Sequence, residues 1–193
     1  MNNPKDNLPI LAFKTQDALE KWLSKNYSAS NGVWLKIYKK GSGTPTVSYA
    51  GAVDVALCYG WIDGLLNPLD EKAYMIRFTP RRSQSVWSKK NVEKVSRLIK
   101  EDKMKPAGLK AIESAKANGR WDQAYDSPSN IEMPDDFLKA VSKIPKAKKF
   151  FQTLNKANTY AIAWRLQTAK KPETREKRMK TILEMLSKGE KFH

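Results

Sequence analysis

The chain is poor in the residues that most enzyme and metal sites depend on. Among 193 residues there is one histidine, His193, the last residue, and one cysteine, Cys58. A lone terminal imidazole argues against a Ser-His-Asp triad, a Cys-His dyad and a histidine metal site, each of which needs a histidine held inside a fold. One cysteine excludes an internal disulfide and fits a reducing compartment. Long apolar runs are also missing. The opening MNNPKDNLPILAFK is too polar for a signal peptide, and no segment approaches a membrane span. The expectation is a cytoplasmic protein without a transmembrane segment. Carboxylates are scarce as well, with 20 acids against 36 Lys and Arg and a formal charge of +16. Hard cations need clustered carboxylates, so neither metal nor iron binding is expected, and no pattern asks for a cofactor.

The basicity is uneven. Residues 77–110 hold eleven cations against three acids, residues 134–193 fifteen against six, and the remainder ten against eleven. Two such blocks suit an anionic partner, whether protein, phosphate-containing ligand or nucleic acid. They equally suit lysine-rich helices that keep a protein soluble.

Hydrophobic residues at 40 % are enough for a globular core. Thr15 caps a helix carrying Leu19, Trp22 and Leu23 on one face. GVWLKIYKK alternates as a half-buried strand, with Val33, Leu35 and Ile37 on the inner side. Ser48 caps a second helix, which places Val53, Ala56 and Leu57 inward and stops at Gly60. WIDGLL and AYMIRFT read as two strands joined by NPLDEK, and Pro80 ends the second.

Helices follow. One starts at Ser88, with Val92, Val95 and Ile99 buried. One starts at Pro106, with Leu109, Ile112 and Ala115 buried and Gly119 as its stop. After the linker-like DQAYDSPSNIEMP come DDFLKAVSKI, KAKKFFQTLN, TYAIAWRLQTAK and PETREKRMKTILEMLSKG. The expected fold is α+β: a small, partly antiparallel sheet with helices on one face, then a C-terminal helical module. The expected division is an α+β domain over 1–122, a linker over 123–133 and a helical domain over 134–193.

VSYAGAVDVALCYGWIDG, IRFTPRRSQSVWSKKN, KMKPAG and AKANGRW, with IPKAKKFFQTL and WRLQTAKKPETREKRM in the tail, resemble the YdeI/OmpD-associated, or bacteriocin-protection, family. The resemblance runs from about Trp22 to Leu186. It implies a bacterial protein connected with protection against bacteriocins or cationic peptides, and an N-terminal domain related to YjbR/CyaY-like folds. One member is named for association with an outer-membrane porin. The resemblance carries no assigned catalytic residues.

Two places hold candidate chemistry. In FTPRRSQSVWSKKN, Arg81 and Arg82 follow the end of a strand, and Ser83, Ser85 and Ser88 add hydroxyls ahead of a helix. Arginine forks and a helix N-terminus together make an anion site. The competing structural reading pairs one arginine with Asp63 or Asp70, buries Trp87 and leaves Ser88 as a cap. Adjacent residues of an extended segment point to opposite sides, so one arginine is expected inward and the other outward.

The second place is Asp63, in the largely apolar GWIDG. It is either a buried partner of an arginine or a general base. The six tryptophans could stack bases, but most fall in hydrophobic register and read as core. The Gly-Ser-Gly at 41–43 lacks the GK[ST] of a phosphate loop. Cys58, on an apolar helix face, reads as an inert core thiol. Three functions remain open: a non-enzymatic binding or stress-protection protein, a nonspecific nucleic-acid binder, and an enzyme acting on a phosphorylated or carboxylated small molecule at Asp63, Arg81 and Arg82.

Overall fold

The computed structural model describes residues 7–126 and 130–192. His193 and residues 127–129 of the expected linker lie outside the described residues. The chain divides into two compact units, one of residues 1–85 and 91–122, the other of residues 86–90 and 123–193.

The first unit has a four-stranded sheet. Its strands are β1 (Ile10–Ala12), β2 (Val33–Tyr38), β3 (Trp61–Pro68) and β4 (Ala73–Pro80), in the order β1-β2-β4-β3. β1 runs parallel to β2, and the other two pairings are antiparallel. Three of these strands follow from the sequence pattern. β1 does not, because three residues are too few to show a period of two.

Val33 pairs with Phe78 and Leu35 with Ile76, so these side chains share one face. Helix α1 (Gln16–Asn26) and helix α2 (Tyr49–Cys58) lie on that face. Leu19, Trp22 and Leu23 of α1 and Ala52 and Ala56 of α2 meet Val33, Leu35, Trp61 and Phe78 around a void of only about 10 Å³. The indole of Trp61 meets Trp22 edge-on at 6.0 Å and donates to the Tyr27 carbonyl at 3.0 Å. That hydrogen bond is what lets so large a polar-edged ring be buried. Trp34, expected on the more open face of β2, is buried too. β2 is an interior strand, and its buried side chains alternate only weakly with exposed ones.

Both predicted caps are present. Thr15 Oγ1 accepts from the Ala18 amide at 3.2 Å, and Ser48 Oγ from the Gly51 amide at 3.1 Å. Two further helices follow, α3 (Lys89–Lys100) and α4 (Pro106–Ala117). Here two expectations are corrected. Ile99 is 47 % and Leu109 40 % exposed, whereas Val95, Leu98, Gly108, Ile112 and Ala115 are buried.

The reason in α4 is Gly108. A Cβ there would lie 2.3 Å from the Cys58 carbonyl oxygen, so the helix turns its glycine, not Leu109, toward the end of α2. On α3 the buried stripe runs through Val95 and Leu98. Lys94, on its flank, reaches Asp54 of α2, and Ile99 falls off the stripe. Cys58 itself is buried, and desolvation pushes its thiol up to about 11, which keeps it protonated and unreactive near neutral pH.

The second unit is helical: α5 (Asp135–Ser142), α6 (Pro145–Phe151), α7 (Lys156–Gln167) and α8 (Pro172–Ser187). Pro145 and Pro172 stand in the first turns of their helices, where the missing N–H costs nothing. Phe137, Val141, Ala147, Ile162, Leu166, Ile182 and Leu186 form the core of this unit, and Phe151 packs edge-on against Phe137 at 5.4 Å.

Polar ties complete the unit. Arg178 of α8 donates to the Arg165 carbonyl at 2.7 Å, so a cation sits at the negative end of α7. Buried Asn158 donates to Asn155 Oδ1 at 2.9 Å and accepts from the Phe192 amide at 3.1 Å. The Phe192 ring lies under the Arg165 guanidinium at 3.9 Å. Among the described residues no helix is long and apolar enough to cross a membrane.

Candidate functional site: an arginine loop and a carboxylate-free helical run

The loop after β4 is closely braced. The Arg81 amide donates to the Gly60 carbonyl at 2.9 Å. The next four residues close on themselves: the Ser85 amide donates to the Arg82 carbonyl at 2.9 Å, and Ser85 Oγ accepts from the Arg82 amide at 3.0 Å. The end of α4 holds this turn from outside. Asn118 Nδ2 donates to the Ser83 carbonyl at 2.8 Å and Arg120 Nη1 to the Gln84 carbonyl at 2.9 Å. The positive φ of Gly119 bends the chain so that Asn118 and Arg120 both reach back.

Arg81 is half-buried and Arg82 exposed. Ser85 has a structural task, since its hydroxyl accepts from the turn itself. Ser83 is exposed. Arg120 keeps a buried Nε without a hydrogen-bond partner among the described residues. Asn118 and Arg120 escaped the sequence reading because they act from about 35 residues away. The Asn-Gly-Arg after α4 is the only local sign of them.

Ser88 belongs with the second unit. It bridges to Tyr125, the Lys89 amide donates to the Tyr125 carbonyl, and the Tyr125 amide donates to the Trp87 carbonyl, both at 2.9 Å. The first amide of α3, expected to be open to an anion, is therefore engaged by the chain itself.

Asp63 is half-buried on edge strand β3, next to a register shift between Asp63 and Leu66. Its carboxylate accepts from the Tyr49 hydroxyl at 2.6 Å, which ties the strand to the first turn of α2. Asp70 accepts from the Lys72 amide at 2.8 Å and lies 3.9 Å from Lys36 Nζ, so it shapes the β3–β4 turn beside a lysine. Among the described residues no three His, Cys, Asp or Glu side chains gather as a metal site would require.

The second feature is a run without carboxylates. From Phe137 to Pro172 there is no Asp or Glu, and nine Lys and Arg are present. Lys139, Lys143, Lys146, Lys148 and Lys149, on α5, α6 and their connection, are all exposed. None of these five makes an ion pair among the described residues, so their charge is open to solvent.

Two family models match the chain. One, a domain of unknown function (DUF8412), covers residues 11–111, and the other, described as "Bacteriocin-protection, YdeI or OmpD-Associated", covers residues 130–189. No curated protein and no solved structure matches. The first model takes in the sheet, α1 and α2, and reaches into α4. The second takes in all four helices of the helical unit. Because the first spans 101 of 193 residues, the protein belongs to the family that carries this domain of unknown function, and its helical unit is similar to the YdeI/OmpD-associated model over residues 130–189.

Proposed function

We propose that this is a non-enzymatic binding protein of the bacteriocin-protection type, which engages an anionic partner through its basic surfaces. The observation that carries this reading is the carboxylate-free run from Phe137 to Pro172, with five exposed lysines between Lys139 and Lys149 and no carboxylate among them. Exposed, unneutralised lysines raise the local concentration of any polyanion without specifying its sequence. The exposed Arg82 on its braced turn supports a second, smaller contact for a phosphate or carboxylate. A relationship of the first unit to YjbR/CyaY-like folds belongs to the same proposal, and helices on one face of a small mixed sheet support it.

A nucleic-acid partner is the second reading, favoured by the same lysines. The two are separated by titrating labelled polyglutamate and two unrelated DNA duplexes at low and high salt. Charge-driven duplex binding should be on the order of 10⁻⁴–10⁻⁶ M, fall steeply with salt and ignore sequence. Preference for polyglutamate supports a protein partner, and preference for either duplex class supports nucleic acid. No binding of any polyanion at low salt removes both. The third reading, an enzyme at Asp63, Arg81 and Arg82, is weakened by the Tyr49–Asp63 hydrogen bond, which gives the carboxylate a structural partner.

A further inference from the structure

The helical unit contains a cavity of about 810 Å³, lined by Ile131, Met133, Phe151, Lys156, Ala157, Thr159, Tyr160 and Ala163. This volume falls in the range of small-molecule sites. Its walls are mostly apolar: Met133 and Ile131 from the segment before α5, Phe151 from the end of α6, and alanines from α7. Three side chains bring polar atoms to it. Thr159 is already engaged, its hydroxyl donating to the Asn155 carbonyl at 2.7 Å. The other two are not. The Lys156 ammonium makes no ion pair, and the Tyr160 hydroxyl no hydrogen bond, among the described residues.

Lys156 and Tyr160 are four residues apart on α7, so they stand on one face, one turn from each other. Lys156 is exposed at the mouth, and Tyr160 is half-buried. Burial, with a smaller contribution from Tyr125, raises the Tyr160 phenol, which stays a hydrogen-bond donor at neutral pH. The Tyr160 ring is half-buried in the wall while its hydroxyl is left open to a ligand, as suits a side chain with an apolar body and a polar tip. One cation at the rim, one donor at the wall and an apolar floor match an amphipathic molecule with a single negative head.

We propose that this cavity binds a small amphipathic anion, a carboxylate or sulfonate on an aromatic or aliphatic body, with Lys156 at the head group and Met133, Phe151 and Tyr160 around the body. The proposal does not depend on the polyanion reading, because Lys156 is not one of the five lysines that carry it.

The test uses the full chain and two fluorescent probes of similar shape, anionic 8-anilinonaphthalene-1-sulfonate and neutral N-phenyl-1-naphthylamine. Both should bind saturably at one site. Lys156→Ala should weaken the anionic probe about tenfold, the size expected for losing one charge-assisted contact, and leave the neutral probe unchanged. Tyr160→Phe should weaken the anionic probe less. Ala157→Trp, at an exposed lining position, should abolish binding of both probes with the melting temperature unchanged. Unsaturable binding, equal loss of both probes in Lys156→Ala, or full binding in a folded Ala157→Trp protein would overturn the proposal. If Ala157→Trp lowers the melting temperature, the Lys156→Ala comparison decides alone, since that side chain is exposed and supports no packing.

Discussion

The two basic blocks carry nearly the same charge and use it in different ways. In the first, most cations whose partners are seen meet carboxylates of the chain. Lys94 and Arg97 grip opposite oxygens of Asp54 at 2.6 and 2.5 Å. Arg97 and Lys103 share Glu101, at 3.0 and 2.8 Å, and Lys105 reaches Glu20 at 3.2 Å. In the second block the three arginines are engaged by groups of the chain itself. Arg175 makes a two-pronged contact with Asp136, Arg178 caps α7, and Arg165 covers Phe192. The lysines of α5 and α6 are left outside. Net charge per segment thus misleads: what an outside partner meets is the charge left over after internal pairing, and that is concentrated in the second block.

Asp54 gives the strongest way to break this comparison. Its side chain is 17 % exposed and answers two cations. Asp54→Ala should destabilise the protein by about 1–3 kcal/mol, since it strands a partly buried lysine, and urea denaturation should show a lower midpoint with unchanged slope. A loss below about 0.5 kcal/mol would place the first block with the second, as solvated charge.

The arginine loop sharpens the same contrast at one site. Arg81→Ala should cost more than Arg82→Ala, because only Arg81 is half-buried. The exposed residue should change stability by no more than about 0.5 kcal/mol. Thermal melts of both variants, with and without phosphate, check this. Equal melting temperatures would make the loop a solvated turn, and phosphate stabilisation lost only in Arg82→Ala would support an outward anion contact.

Asp136 tests whether pairing in the second block contributes to stability. The Arg175 hydrogen bonds hold its carboxyl below the usual aspartate range, against the opposing effect of burial. A depressed folded pKa means that the contribution is present above the unfolded value, near 3.9, and is lost as pH falls through the folded value. The pair is largely exposed, so the contribution should be about 0.2–1 kcal/mol at neutral pH. Asp136→Asn and wild type should differ by that amount at pH 7 and converge in acid, as read by denaturation at several pH values. A constant difference would mean that the asparagine perturbs something other than the charge.

Smallest in stability and largest in binding is the triple change of Lys146, Lys148 and Lys149 to glutamine. It should shift stability by less than about 0.5 kcal/mol. If duplex DNA binds there, the salt dependence should fall by about two to three in slope, at roughly 0.9 per lost phosphate contact. An unchanged slope would move the contact elsewhere.

Local signals carried much of the architecture. Thr15 and Ser48 cap helices, Pro106, Pro145 and Pro172 open them, and Gly60, Gly119 and Gly189 follow them with positive φ. Each of these roles depends on a residue and its immediate neighbours, so a linear reading finds it. Periods of two and 3.6 likewise placed β2 to β4 and the inner faces of α1 and α2, and only part of those of α3 and α4.

Tertiary structure decided what depends on distant partners. α4 is rotated by the approach of Gly108 to Cys58, which exposes Leu109. The loop at Arg82 is braced by Asn118 and Arg120, far along the chain. Ser88 joins Tyr125, which places residues 86–90 with the helical unit. Composition determined that the chain is basic, carboxylate-poor and nearly without histidine and cysteine. Which cations remain open to a partner was settled only by folding, because an ion pair is a matter of a few ångströms between side chains that can lie tens of residues apart.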